Sequence, residues 1–230
     1  MARKEKVRGA CAFCGKDFTA AGMTKHLDAC PDRKRAVETA EASRRKIQPL
    51  YHLRIGDAYD KGRYWLHLEI SGTAELADLD HYLRAIWLEC CGHLSEFEIG
   101  NRAFREEELD MEIPAAGVFD AHDTLIHLYD FGTTSETLVE VAGKREGRPL
   151  SKHPIFLMAR NHPPAYPCAE CGKPAEFLCM ECIVEHDETG FLCAEHAKNH
   201  PHEDYGRPEP IYNSPRIGMC GYDGPAKPPY

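Results

Sequence analysis

Alternation of apolar and polar residues is the clearest signal in the chain, and it begins at Leu50. In YHLRI and RYWLHLEI it puts Tyr64, Leu66, Leu68 and Ile70 on one face of a strand. Between residues 73 and 89 the period lengthens to that of a helix, with Leu76, Leu79, Leu83 and Ile86 on one side and Thr73 as the predicted N-cap. LSEFEI, DTLIHLYDF, ETLVEVAG and IFLMAR then return to strand patterning. Strand, strand, helix, then strands predicts an α+β domain: a helix packed on a central mixed or antiparallel sheet, with Trp65 and Trp87 in its core.

The flanks are patterned differently. DRKRAVETAEASRRK is polar all round and predicts an exposed helix. NHPPAYP, residues 161–167, predicts a stiff, extended connector, and the Pro- and Gly-rich end predicts a tail without regular structure. The chain thus divides into four segments: 1–46, 47–162, 163–206 and 207–230.

Composition narrows the class. With 230 residues, 43% of them hydrophobic, the middle has enough apolar material for a packed core, which excludes a disordered tail. No stretch approaches the roughly 20 apolar residues of a membrane helix, and MARKEKVRGACAFC lacks the apolar run of a signal peptide, so a cytoplasmic protein with no membrane partner is expected. The charge of −9 is unevenly spread: residues 1–46 hold twelve Lys/Arg against six Asp/Glu, +6, which leaves −15 for residues 47–230. Arg33, Lys34, Arg35, Arg44, Arg45 and Lys46 make this a basic arm that can meet nucleic acid, or equally a solvated helix following a finger.

The eleven cysteines come largely as C-x2-C pairs followed by histidines, which is metal-ligand spacing and favours reduced thiolates over disulfides. In CAFCGKDFTAAGMTKHLDAC, Cys11 and Cys14 supply a knuckle and His26 and Cys30, four apart on a helix face, complete a tetrahedron for Zn²⁺. An accidental cysteine cluster is the alternative. Phe18 and Met23 stand where such a finger keeps its small core. The segment resembles C2HC zinc fingers. With four protein ligands the metal would be structural, since no position is left for a catalytic water.

The second segment, CAECGKPAEFLCMECIVEHDETGFLCAEHAKNHPH, holds Cys168, Cys171, Cys179, Cys182, Cys193, His196, His200 and His202 in four close pairs. Eight ligands imply two zinc ions, three in the chain, with a single site and spare cysteines as the alternative. The order resembles the B-box type of zinc domain. That resemblance implies interleaved ligand sets, Cys168, Cys171, Cys193 and His196 on one ion and Cys179, Cys182, His200 and His202 on the other. The gap before Cys193 is longer than the family's, and His186 could replace either late histidine. B-box domains are chiefly interaction modules, so the resemblance implies a protein partner.

The centre resembles the Ri-plasmid ORF-three-like family over roughly residues 50–160. Leu76, Ala77, Asp78 and Leu79 match its helix start, His93, Leu94 and Phe97 a strand, and Tyr129, Asp130, Phe131 and Gly132 its Tyr-Asp-Phe-Gly motif. Thr133, Thr134 and Ser135 depart from it where the family has acidic and aromatic residues. Glycine-rich phosphate loops, zinc-protease helices and nucleophile–base pairs are all missing from the sequence, which argues against an enzyme. His93, Glu96 and Asp130 form the polar set on which catalysis or small-ligand binding would have to rest. Cys90 and Cys91, with His93 nearby, can be read as a further metal site, but adjacent cysteines point in different directions and these two are expected to be small buried residues; Cys220 is expected to be a free thiol or a packed side chain. The reading is therefore an intracellular zinc-binding protein, with structural zinc in a module at each end, serving nucleic-acid or protein interaction.

Overall fold

A computed structural model describes residues 7–101, 103–202 and 204–228. Residues 1–6 of the first predicted segment, residue 102 of the second, residue 203 of the third and residues 229–230 of the last lie outside the described residues.

The chain opens with strands β1 (Arg8–Cys11) and β2 (Asp17–Thr19), helix α1 (Ala20–Ala29) and helix α2 (Pro31–Glu41). Strands β3 (Gln48–Asp57) and β4 (Trp65–Ser71) lead into α3 (Leu76–Leu83), which runs on as a π-helical stretch, Arg84–Leu88. Then come β5 (Ser95–Asn101), β6 (Phe104–Leu109), the short α4 (Ala115–Phe119), β7 (Thr124–Tyr129), β8 (Ser135–Gly147) and β9 (Ile155–Asn161). The last part holds β10 (Phe177–Leu178), α5 (Met180–Val184), β11 (Phe191–Leu192), α6 (Ala194–Lys198) and β12 (Glu209–Pro210).

Nine strands form one sheet in the order β2-β1-β9-β4-β3-β8-β7-β5-β6, and three more form a small sheet, β11-β10-β12. Each pairing between these named strands is antiparallel, so the expected mixed or antiparallel sheet is antiparallel.

One face of the large sheet carries the predicted core. Tyr64, Leu66, Leu68 and Ile70 meet Leu76, Leu79, Leu83 and Ile86, with Trp87 and Phe119 filling the layer. Helix α3 starts two residues later than expected. Glu75 is its N-cap, in a capping box with Asp78, while the Thr73 hydroxyl is used by Gln48 Oε1 at 2.7 Å.

The opposite face is not left to water. Every residue of β4 is buried, and Trp65 packs with Met23 and Leu27 of α1 and with Met158 and Ala159 of β9. Strand β1 pairs with both β2 and β9, so the predicted finger is hydrogen-bonded into the main sheet and shares its core. Gly9 is required at this join, because a Cβ there would run into the Arg160 carbonyl.

The polar residues that this covered face buries are paired. His52 Nε2 lies 2.8 Å from His67 Nδ1, and Arg145 grips buried Glu69 with two bonds of 3.0 Å. Arg145 and the Arg148 amide also reach Glu41 at the end of α2. The predicted exposed helix thus ends at Glu41 and is tied down there. Arg44, Arg45 and Lys46 come after it, outside the helix.

The proline connector is anchored as well. Asn161 Oδ1 accepts from the Trp65 amide at 3.0 Å, and the Tyr166 hydroxyl meets that of Tyr64 at 2.6 Å. The tail, expected to lack regular structure, contributes β12 to the small sheet; beyond it the chain is irregular yet firmly held: Ser214 Oγ donates to the Trp87 carbonyl at 2.6 Å and Arg216 is fully buried.

Candidate metal centres

The N-terminal knuckle is built by backbone. Gly15, in the left-handed region at φ 69°, returns its N–H to the Cys11 carbonyl at 2.8 Å, and the Cys11 N–H reaches the Lys16 carbonyl at 3.0 Å. This turn aims Cys11 and Cys14 at the last turn of α1, where Cys14 Sγ lies 3.3 Å from His26 Nε2. Thr19 caps α1 by accepting from the Gly22 N–H, and the His26 ring stacks on Phe18 with centroids 4.1 Å apart. Cys30 is not on the helix proper: it leaves α1 in an extended conformation and begins α2, with Pro31 behind it. Burial pushes its thiol up, but the Arg33 and Asp32 N–H groups at the head of α2 outweigh that and favour the thiolate. The ligand atoms of Cys11, Cys14, His26 and Cys30 all lie within 4.8 Å of one another.

The same knuckle recurs in the C-terminal segment. Gly172, at φ 70°, donates to the Cys168 carbonyl at 2.9 Å, and the Cys168 N–H reaches the Lys173 carbonyl at 2.7 Å. Burial raises the Cys168 thiol, while N–H groups of Cys193, Cys171 and Glu170 and the His196 ring bring it down to about 6. Two sets of four converge within 4.8 Å: Cys168, Cys171, Cys193 and His196, and Cys179, Cys182, His200 and His202. Cys171 and Cys193 Sγ are 3.8 Å apart, and His196 Nδ1 is 3.3 Å from Cys168 Sγ. In the second set Cys182 Sγ stands 3.2 Å from both His200 Nε2 and His202 Nδ1. His186 lies outside that set; its ring stacks on His202 at 4.5 Å, and it groups with Glu181 and His202 instead.

Tetrahedral zinc with bonds of about 2.3 Å to sulfur and about 2.0–2.1 Å to nitrogen spaces its ligands about 3.8 Å apart between sulfurs and about 3.5 Å apart between sulfur and nitrogen. The separations in all three sets are of this size. Each of these clusters can hold a metal ion, and each fills four positions with protein atoms.

A fourth convergence takes up the metal site that Cys90, Cys91 and His93 suggested and that the expected divergence of adjacent cysteines argued against. Cys90, Cys91, His93 and Cys220 also bring their ligand atoms within 4.8 Å of one another. The two adjacent cysteines, expected to be buried and divergent, have Sγ atoms 3.8 Å apart, and Cys91 is exposed. Gly92, left-handed at φ 77°, turns the chain between the two cysteines and His93. A C-C-x-H run is no standard half-site, and its fourth member stands 127 residues beyond His93. Nothing in the local spacing could have joined Cys220 to the other three.

His93 and Asp130 do come together, with Nε2 and Oδ2 3.4 Å apart, while Glu96 sits on β5 opposite Leu128. Asp130 has a buried partner that the sequence did not reveal. Arg216 donates to its Oδ2 and to the Thr133 carbonyl, and to Ser135 Oγ at 3.0 Å. This guanidinium, helped by the Gly132 and Thr133 N–H groups, holds the Asp130 carboxyl down to about 2. Such a carboxylate is a poor proton acceptor at neutral pH.

In the basic arm Lys34, Arg35, Arg44 and Lys46 are exposed, whereas Arg33 and Arg45 are half-buried. Arg33 donates to the Leu27 carbonyl at 3.2 Å, and the Arg45 carbonyl accepts from Arg148. Arg35 pairs with Asp32 one turn before it.

No family model and no curated protein matches the chain, so the three family resemblances rest on their motifs alone. A solved structure, of a protein of unknown function from Methanosarcina mazei Go1, is similar at 15% identity and a TM-score of 0.39, over 50% of this chain and 68% of that one. A similarity of that size carries no argument. Among the described residues no helix is long and apolar enough to cross a membrane.

Proposed function

We propose that this is a zinc-binding interaction protein, in which Zn²⁺ at the N-terminal cluster and at the two C-terminal clusters holds the end segments in shape for binding partners. The convergence of twelve Cys and His residues into three sets of four, at zinc-like separations, carries this reading. The all-protein ligand sets support a structural role for the metal. Native mass spectrometry of reduced protein, with elemental analysis beside it, tests it. Replacing Cys14, Cys171 or Cys182 with Ser should each remove one zinc ion, and an unchanged count in all three variants would refute it.

The partner we favour is nucleic acid, met by the basic arm. The +6 balance of residues 1–46 against −15 elsewhere, and the exposure of Lys34, Arg35, Arg44 and Lys46, support it. Four phosphate contacts predict that affinity for duplex DNA falls about 100-fold between 50 and 200 mM salt. Fluorescence anisotropy at the two salts, with a variant carrying Gln at those four positions, decides the matter. A salt-independent affinity, or one that the variant retains, would sink it. The C-terminal segment exposes Ile183, Val184 and Tyr205, which supports contact with a protein partner there.

A further inference from the structure

The cluster of Cys90, Cys91, His93 and Cys220 stands apart from the three sets in the end segments and does not depend on them. We propose that it is a fourth zinc site, whose ion clamps the C-terminal segment onto the end of the π-helical stretch.

The separations fit. Cys91 Sγ lies 3.6 Å from Cys220 Sγ and 3.8 Å from Cys90 Sγ, and His93 Nε2 lies 3.0 and 3.1 Å from Cys91 and Cys220. Two of these are the sulfur–sulfur edges of a zinc tetrahedron, and the other two are slightly shorter than its sulfur–nitrogen edges. Three thiols with an imidazole aimed among them exceed what a disulfide needs. The donor set is soft, which selects Zn²⁺ over the oxygen-seeking Mg²⁺ or Ca²⁺.

The surroundings are arranged for charge. Three thiolates and a neutral imidazole around Zn²⁺ leave a net charge of −1. Fully buried Arg216 points its Nη2 at Cys90 Sγ, 3.6 Å away, and so places a fixed cation against the cluster. Asp130, 3.4 Å from His93 Nε2, is already taken up by Arg216 and by the Gly132 N–H at 2.9 Å, so it balances the guanidinium and is not a spare ligand. The backbone yields to the same point from both sides: Gly92 is left-handed, and Cys220 is a non-glycine residue at φ 49°.

The consequence is topological. Cys220 belongs to the tail, and its three partners belong to the junction between α3 and β5. The ion would close that ring beside the anchors already made by Ser214 and by the Ala226 N–H on the Ala85 carbonyl. Cys91 and Cys220 are exposed, whereas four of the eight C-terminal and two of the four N-terminal ligands are buried. This ion should therefore be the first to exchange with a chelator.

The test is zinc stoichiometry by native mass spectrometry on the full chain, purified under reductant. Four ions are expected in the parent, three in Cys220→Ser and in Cys91→Ser, and four again in Cys220→His, which restores a ligand. Hydrogen exchange over residues 207–228 should rise in the Ser variants and return to the parent rate in Cys220→His. Both Ser substitutions are at the surface and leave the other clusters intact, so failure here is separable from failure of the three-site reading. Whatever the parent's count, no ion lost in either Ser variant would overturn the proposal, as would a chain two daltons light with Cys91 linked to Cys220 in reduced protein.

Discussion

Substituting Cys30 by Ser removes one ligand from the N-terminal cluster, and the effect can be worked out from how α1 is held. Two side chains fasten the helix to the sheet: Met23 and Leu27, both fully buried against Trp65, Met158 and Ala159. At about 1.5–3 kcal/mol for each buried side chain, they contribute about 3–6 kcal/mol. Structural zinc contributes about 10–16 kcal/mol in finger peptides. The metal is the larger hold by about two- to fivefold, so its loss should free residues 8–30, β1 and β2 included, while the other seven strands of the large sheet stay folded. Hydrogen exchange read by mass spectrometry is the assay. Amides of α1 should lose protection, and those of β4 should lose some as the cover over Trp65 lifts. Amides of α3 and β7, on the far side of the core, should keep theirs. If the variant has one zinc ion fewer and α1 remains as protected as in the parent, the packing suffices without metal and the reasoning is wrong.

The covered face of the sheet sets other outcomes. Burial lowers His52 to about 3, with the neighbouring His67 adding to the effect, and lowers His67 to about 4. Both folded values lie below the ordinary 6.5, so the unfolded chain takes up more protons as pH falls through 6.5 and stability drops. At pH 5 each imidazole should cost about 2 kcal/mol relative to pH 7.5, because the cost there is set by the unfolded value. Urea unfolding at the two pH values should show a fall about 2 kcal/mol smaller in His52→Gln than in the parent; an equal fall would mean that the pair is protonated in the fold. Glu69→Gln should destabilise by about 2 kcal/mol, since the buried carboxylate that takes two N–H groups of half-buried Arg145 would be lost and the guanidinium would keep only Glu41 as a carboxylate partner, at 3.3 Å. A change under about 0.5 kcal/mol in thermal or urea unfolding, the size of an ordinary surface substitution, would refute that. Arg216→Met should raise hydrogen exchange in residues 207–228, because it removes the donor to Asp130, Thr133 and Ser135 that keeps the tail in place.

How much of the fold is written in local spacing differs from element to element, for physical reasons. The face of β4 made by Leu66, Leu68 and Ile70 was legible because alternation reports one buried side directly. Its other side was not, since His67 and Glu69 look like solvent-facing residues until α1 and α2 are seen to cover them and His52 and Arg145 to pair with them. The start of α3 was misplaced by two residues because Thr73 and Glu75 are both competent caps. The choice went to Glu75, whose backbone bridges to Pro114 while Gln48 captures Thr73. No pattern in a single strand encodes those distant partners.

The metal clusters divide along the same line. Cys11 with Cys14 and Cys168 with Cys171 are each a local device: two thiols, a left-handed glycine and a lysine carbonyl that closes the turn, all within six residues. Such half-sites can be read from sequence because backbone geometry alone creates them. The interleaving of Cys168 with His196, and of Cys182 with His200, was reached only through a resemblance, because spacing allows several pairings and the fold brings together one. Cys90, Cys91 and His93 can be grouped by spacing, but their convergence with Cys220 lies past the limit of either method. Their turn depends on Gly92, and their fourth member arrives with a tail that Arg216 fixes from 126 residues away in the chain. Cys220 could not have been assigned without that buried arginine. An isolated Pro- and Gly-rich tail, cut free of Asp130 and Ser135, would have no reason to bring its thiol to this place.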